Sequence, residues 1–256
     1  DYAEASLLAH QGDWHQALQA YTEWAATWHP LRQPEARQWF QNVFALRNHQ
    51  TKKFYNWSIP IYDSEQASFA VDEFVRTDTD YLGLRPQVIH LFGWIDLERG
   101  WRGHPSGDYL PQAYTGGPQA LKGAIHKLQD QHAIPVSLYT ISDRCLKESE
   151  FGKKMGSRAA RRLADGSPSE DEFNWFMCPN MDQWRDQYVN SLVRTQRETG
   201  AKVLYVDVFG FFRSGECFAT DHGHAVPCHT NRGTYAMIRE LREALPNDVS
   251  IWSEYP

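Results

Sequence analysis

The sequence predicts an α/β fold, a (β/α)8 barrel of the TIM type, with about the first five strands held in 256 residues behind a short helical lead-in. Three observations carry this. An apolar run, a loop and an amphipathic helix follow one another, and the strand-like run recurs five times. The runs are nearly continuous rather than alternating, as in a parallel sheet covered by helices. The loops after the second, third and fourth runs are long and those after the helices short, and a (β/α) barrel builds its active site from loops of the first kind. A doubly wound open sheet is the rival. It usually carries a glycine-rich phosphate turn after its first strand, and "IPIYDSEQ" (59–66) has none.

The elements follow in order. "AEASLLAHQGDWHQALQAYTEWAATW" (3–28) places Leu7, Leu8, Trp14, Leu18, Tyr21 and Trp24 near helical spacing. "GDWHQALQAY" within it looks like one tetratricopeptide helix, but no second copy follows, and a single repeat cannot bury its own face. Pro30 and Pro34 interrupt the pattern and "PEARQWFQNVFALRN" (34–48) resumes it, so residues 1–50 are read as the lead-in and 51–256 as the N-terminal part of the barrel. The first strand is expected at "FYNWSIPIY" (54–62), followed by the helical "SEQASFAVDEFVRTDTDYLG" (64–83). "QVIHLFGWI" (87–95) is the second, with the helix "PQALKGAIHKLQDQH" (118–132) after a long loop. "IPVSLYTIS" (134–142) is the third. A charged excursion, "SRAARRLADGSPSEDEF" (157–173), reads as a solvated loop with a short helix. The next helix, "MDQWRDQYVNSLVRTQRETG" (181–200), closes on Gly200. "KVLYVDVFG" (202–210) is the fourth strand, "TYAMIRELREALP" (234–246) its helix, and "VSIWSE" (249–254) the fifth strand.

Composition excludes several classes. With 26 basic against 32 acidic residues the net charge is −6 and no basic run exists, which argues against nucleic acid as a partner. No apolar stretch approaches the roughly 20 residues of a membrane-spanning helix. The aromatic share of 14%, with ten Trp, suits stacking on sugar rings as well as core packing. Four cysteines, Cys145, Cys178, Cys217 and Cys228, are too scattered for a disulfide scaffold and leave the compartment open. The chain opens on Asp1 and stops just after a strand-like run, so it reads as a piece of a longer polypeptide with about three further strands expected beyond Pro256.

The fourth strand carries an aspartate inside an apolar run, and an unpaired buried carboxylate is costly. Asp207 and Glu254 fall at the C-terminal parts of successive predicted strands, where neighbouring strands are under ~5 Å apart. Two carboxylates flanking one pocket are what retaining glycoside hydrolysis needs. Asp207, short and held by a strand, suits the nucleophile. Glu254, longer and next to Trp252 and Tyr255, suits the acid/base, because apolar surroundings keep a carboxyl protonated. The structural alternative is that Asp207 caps the following segment or pairs with an arginine while Glu254 merely ends a strand.

"YVDVFG" after an "ETGAKV" helix end, followed one strand later by a "SE" ending, resembles the catalytic barrels of retaining α-glycosidases, endo-α-N-acetylgalactosaminidases and α-amylase-type enzymes among them. The lead-in "GDW…A…Y…W" and the loop "HGH" resemble a bacterial family of large glycosidase-like proteins. The resemblance implies a strand-four Asp nucleophile and a strand-five Glu acid/base, acting on an oligosaccharide, polysaccharide or glycoconjugate without a cofactor. One departure is that the amylase group has an arginine two residues before the nucleophile, where this chain has Tyr205. Amylase specificity is therefore not carried over.

Three further constellations surround the proposed pair. "CFATDHGHAVPCH" (217–229) is dense in His and Cys, but its spacing matches no standard zinc finger, so no metal is expected there. His222 and His224 are instead candidates for a sugar hydroxyl, with a loop pinned by its own histidines as the alternative. "GWIDLERGWRGHPSGDYLPQ" (93–112) offers Trp94, Asp96 and Tyr109 as a mixture of flat rings and acids that sugar subsites use, against plain packing. "ISDRC" (141–145) puts Asp143 and Arg144 at the end of strand three, to contact sugar or hold Asp207 ionised, against a structural ion pair. The rival functions are a non-catalytic carbohydrate-binding barrel and a metal-dependent hydrolase using the His/Cys loop.

Overall fold

The structure, a computed structural model, describes residue 9 and residues 11–28, 42–51, 59–95, 107–207 and 215–253. Five strands, β1 (Leu46–Gln50), β2 (Val88–Phe92), β3 (Val136–Ile141), β4 (Val203–Asp207) and β5 (Ser250–Trp252), form one parallel sheet. Their spatial order follows the chain without reversal. A doubly wound sheet reverses at a switch point. The consecutive order is compatible with part of a (β/α) barrel.

Among the described residues, the α-helices of ten residues or more are α1 (Trp14–Trp28), α2 (Val71–Leu82), α3 (Gly117–His126), α4 (Asp182–Thr199) and α5 (Asn231–Ala244). The four from α2 to α5 turn an apolar stripe inward at helical spacing: Val71 and Val75 on α2, Leu121 and Ile125 on α3, Trp184, Tyr188 and Leu192 on α4, Met237 and Leu241 on α5. They bury these against Ile89, Leu91, Val136, Leu138, Leu204 and Val206, the alternate residues of β2, β3 and β4 that face the helices. α4 ends where Gly200 takes a left-handed conformation (φ 75°) and its N–H returns to the Gln196 carbonyl. α1 is different: Trp14, Leu18, Tyr21 and Trp24 on it are exposed. Among the described residues no helix is long and apolar enough to cross a membrane.

Four of the five expected strands are found, and the first is displaced. β1 occupies residues 46–50, overlapping the end of the segment expected to be helix (34–48), and pairs with β2 from Leu46↔Val88 to Gln50↔Phe92. The sheet therefore begins within the residues assigned to the lead-in. Of the expected first strand, residues 54–58 lie outside the described residues, Pro60 forms a parallel bridge to Gln50, and Tyr62–Asp63 pairs with Ser68–Phe69. The physical reason is that β1 has no apolar face to read. Its helix-facing residues are Arg47 and His49, which bind the buried Asp78 of α2 at 3.0 and 2.6 Å. Burial holds the His49 pKa low against the pull of Asp78, so a polar triad replaces the usual aliphatic contact.

The charged excursion is also more ordered than a solvated loop. Arg144–Leu146 pairs antiparallel with Asn174–Phe176, and bridges at Ala160↔Met177, Arg162↔Pro168 and Glu170↔Trp175 stitch the intervening chain to this ribbon. The result is a small layered unit standing on the C-terminal end of β3.

Candidate active site

The face of the sheet turned away from the helices differs from the inward face of a (β/α) barrel, which is mostly filled by branched aliphatics. Here Leu46 and Asn48 of β1, His90 and Phe92 of β2, Tyr139 of β3, and Tyr205 and Asp207 of β4 line a cleft of ≈ 430 Å³. All are alternate residues on one face, brought level by the registers Asn48↔His90, His90↔Ser137 and Tyr139↔Tyr205. Tyr139 and Tyr205 lie nearly parallel with ring centroids 5.8 Å apart, and Phe92 stands 4.4 Å from Tyr139. Phe92 and the two tyrosines give the cleft a flat aromatic wall.

Asp207 closes β4 at its C-terminal end, opposite Ile141. The Tyr139 hydroxyl donates a short hydrogen bond to its Oδ2. His90, beneath Tyr205 at 4.8 Å between centroids, bonds through Nδ1 to the Ser137 hydroxyl at 2.8 Å. Burial pushes its pKa down to about 4, although the Asp207 charge opposes this. At neutral pH the cleft therefore contains a neutral imidazole.

Of the residues singled out from sequence, Asp207 and Tyr205 meet in this cleft. Glu254 and Asp96 lie outside the described residues. Trp94 and Tyr109 are core residues, each 1% exposed, and the packing alternative holds for both. They act from behind. The Trp94 Nε1–H donates to the Tyr139 carbonyl at 2.7 Å and the Tyr109 hydroxyl to the Ile141 carbonyl at 2.6 Å, bracing the end of β3 that presents Tyr139. Asp143 and Arg144 form a two-pronged ion pair at 2.7 and 3.1 Å, so Arg144 is engaged by its neighbour and does not bond Asp207. His222 is buried, its Nε2 bonding the Arg158 carbonyl at 2.7 Å and its Nδ1 lying 3.5 Å from the Cys217 sulfur. His224 lies 3.5 Å from the Cys178 sulfur. Neither histidine lines the Asp207 cleft. Beside them the Cys217 thiol pKa is held low, first by a hydrogen bond from Cys178, whose own pKa is raised by the same contact.

His90, Phe92, Tyr139, Asn48 and Leu46 were missed from sequence. The signal for two of them was present: His90 and Tyr139 are polar or amphipathic residues in apolar strands, with the same parity as Asp207 once the register is known. Register is what a single sequence does not supply.

The family described as Domain of unknown function (DUF6259) matches residues 2–244. The chain belongs to this family. No curated protein is significantly similar to this DUF6259 chain. Among solved structures, the α-N-acetylgalactosaminidase NagBb from Bifidobacterium bifidum, ligand-free, is similar with a TM-score of 0.71 at 20% identity, over 96% of this chain and 42% of that one. The same enzyme in complex with GalNAc gives 0.68 at 21% identity, over 96% and 41%. The GH36 α-galactosidase AgaA from Geobacillus stearothermophilus gives 0.61 at 14% identity, over 85% and 29%. At such identities the likeness shows the fold. The DUF6259 chain spans about two fifths of the length of NagBb.

Proposed function

We propose that this chain carries the nucleophile-bearing part of a glycoside hydrolase that cleaves an α-linked galactose-type sugar with net retention. The observation that supports this most is the placement of Asp207: a carboxylate at the C-terminal end of a barrel-type strand, oriented by a tyrosine hydroxyl, in an aromatic-walled cleft. The fold shared with an α-N-acetylgalactosaminidase and an α-galactosidase supports the substrate class.

In this reading Asp207 attacks the anomeric carbon while Glu254 protonates the departing oxygen. Glu254 then takes a proton from water, which hydrolyses the glycosyl–Asp207 ester. Tyr139 holds one carboxylate oxygen, so Asp207 keeps its aim, and the rings of Phe92, Tyr139 and Tyr205 offer a stacking surface. β5 pairs with β4 as Ser250↔Val203 and Trp252↔Tyr205, and two residues further along the two sequences come Glu254 and Asp207. A retaining pair stands about 5–5.5 Å apart, a separation that adjacent strands supply.

The test uses the full-length protein with 4-nitrophenyl α-N-acetylgalactosaminide and the matching α-galactoside, and the anomer released first is read by NMR. The α-anomer is expected. Asp207→Ala should lower turnover on the order of 10⁴-fold. Glu254→Ala should keep part of the first step on these good leaving groups and yield the α-glycosyl azide when azide is added. A β-anomer, sugar binding without turnover, or normal turnover by Asp207→Ala would overturn the proposal.

A further inference from the structure

A second cluster of chemically potent side chains lies apart from the Asp207 cleft. Cys178 sits in the segment between β3 and α4. Cys217, His222 and His224 sit in the segment between β4 and α5. The two sulfurs, His222 Nδ1 and His224 Nε2 come together so that one ligand atom from each residue lies within 4.8 Å of all the others. Both cysteines are fully buried and His222 is 4% exposed.

We infer that Cys178, Cys217, His222 and His224 form a structural zinc site that ties the loop after β3 to the loop after β4. Four details of geometry support it. First, Zn–S of about 2.3 Å and Zn–N of about 2.0–2.1 Å place sulfur and nitrogen roughly 3.5–3.6 Å apart across a tetrahedral angle. The Cys178–His224 and Cys217–His222 contacts are both 3.5 Å. Second, each imidazole is braced through its other nitrogen. His222 Nε2 donates to the Arg158 carbonyl and His224 Nδ1 to the Ala225 carbonyl, both at 2.7 Å. Those bonds select the tautomers whose remaining lone pairs point at the sulfurs, the outer-sphere arrangement of zinc-bound histidine. Third, the Cys217 sulfur accepts the backbone N–H of Arg162 at 3.4 Å. Such a donor stabilises a thiolate. Fourth, two thiolates and two imidazoles at tetrahedral spacing suit zinc over the oxygen-seeking cations.

Four protein ligands leave no open position, so the site holds structure rather than activating water. The spacing within residues 217–229 suggested no zinc because one ligand is missing from it. Cys178 supplies that ligand from another loop, and Cys228 and His229 are not among the four. The approach depends on Gly233 at the start of α5. A Cβ there would meet the Pro179 carbonyl carbon at 2.2 Å, so only glycine lets α5 pack against the Cys178 turn. The staple spans α4 and β4, the strand that ends on Asp207 and the helix that precedes it, but the inference does not depend on that residue being catalytic.

The test is the metal content of the full chain purified without added chelator. About one zinc per chain is expected after gel filtration. His224→Ala, which alters the least buried ligand, and Cys217→Ser should each retain at least tenfold less, whereas Cys228→Ser and His229→Ala should retain as much as the parent. If the ligand variants do not fold, the parent chain stripped of metal and titrated with cobalt should give the absorption of tetrahedral thiolate-bound cobalt, displaced by one equivalent of zinc. Zinc well below stoichiometry together with no such spectrum would overturn the inference, as would a Cys178–Cys217 disulfide found by thiol titration and peptide mass.

Discussion

Asp207 and Cys217 lie ten positions apart in the chain, yet the two polar clusters they belong to are built in opposite ways. Around Asp207 the groups line open space: ≈ 430 Å³ bounded by rings, a neutral imidazole and a carboxylate that accepts the Tyr139 hydroxyl. Around Cys217 the groups face one another. Both nitrogens of each histidine have partners, the Cys217 sulfur accepts an N–H group, and the cysteine side chains are buried. A site that must admit a substrate keeps volume beside its reactive group. A site that must hold chain segments together saturates its ligands. The difference teaches that density of His and Cys in a sequence does not tell a cleft with open volume from a saturated, buried cluster.

Three measurements can break or sharpen this contrast. The largest effect concerns His90, whose folded pKa of about 4 lies below the ordinary value of 6.5. Between those values the unfolded chain binds the proton and the folded chain does not, so stability falls as pH is lowered from 6.5 toward 4. The full loss is on the order of 3.5 kcal/mol, at about 1.4 kcal/mol per tenfold change in proton affinity. Denaturant midpoints followed across this window should show the slope, and His90→Gln should flatten it. An unchanged slope in the variant would mean that His90 is protonated inside the fold and that the cleft is wetter than its burial implies.

Tyr139→Phe comes next. Hydrogen bonds to charged groups are worth about 1.5–3 kcal/mol, so deleting the hydroxyl that orients Asp207 should cost roughly 10- to 100-fold in turnover on the aryl glycosides. Zinc content and thermal midpoint should stay with the parent, because the change is confined to the cleft. Parent-like turnover would separate Tyr139 from the chemistry.

The smallest effect belongs to Cys228→Ser. Its half-buried sulfur accepts only a long contact from the Asn180 side chain, 3.4 Å, among its side-chain hydrogen bonds. Stability should move by no more than about 0.5 kcal/mol. A loss of several kcal/mol, read from the denaturant midpoint, would place Cys228 within the cluster and redraw its boundary.

Much of the fold was legible because β2, β3 and β4 carry apolar residues on their helix-facing sides and their helices repeat Leu, Ile, Tyr and Trp at matching spacing. β1 was illegible for the converse reason. Leu46–Gln50 exchanges aliphatic contacts for Arg47 and His49 on Asp78, and no periodicity distinguishes such a strand from the end of a polar helix. Trp94 and Tyr109 show a similar limit. An aromatic ring before or after a glycine-rich loop reads equally as a sugar platform or as core, and only burial separates the two.

The sequence by itself determined the parallel alternation of strand and helix, the helix stop at Gly200 and the oddity of an aspartate closing an apolar strand. These are local facts, set by neighbours a few residues away. Tertiary structure alone decided which residues share a cleft with Asp207, because strand register moves every side chain from one face to the other with a slip of one. It alone brought Cys178 to Cys217, His222 and His224, since their meeting depends on two loops closing over a strand and a helix. No pattern along the chain records that closure. The physical reason is that contacts between distant segments are set by packing of the elements between them, which the helix and strand periods leave undetermined.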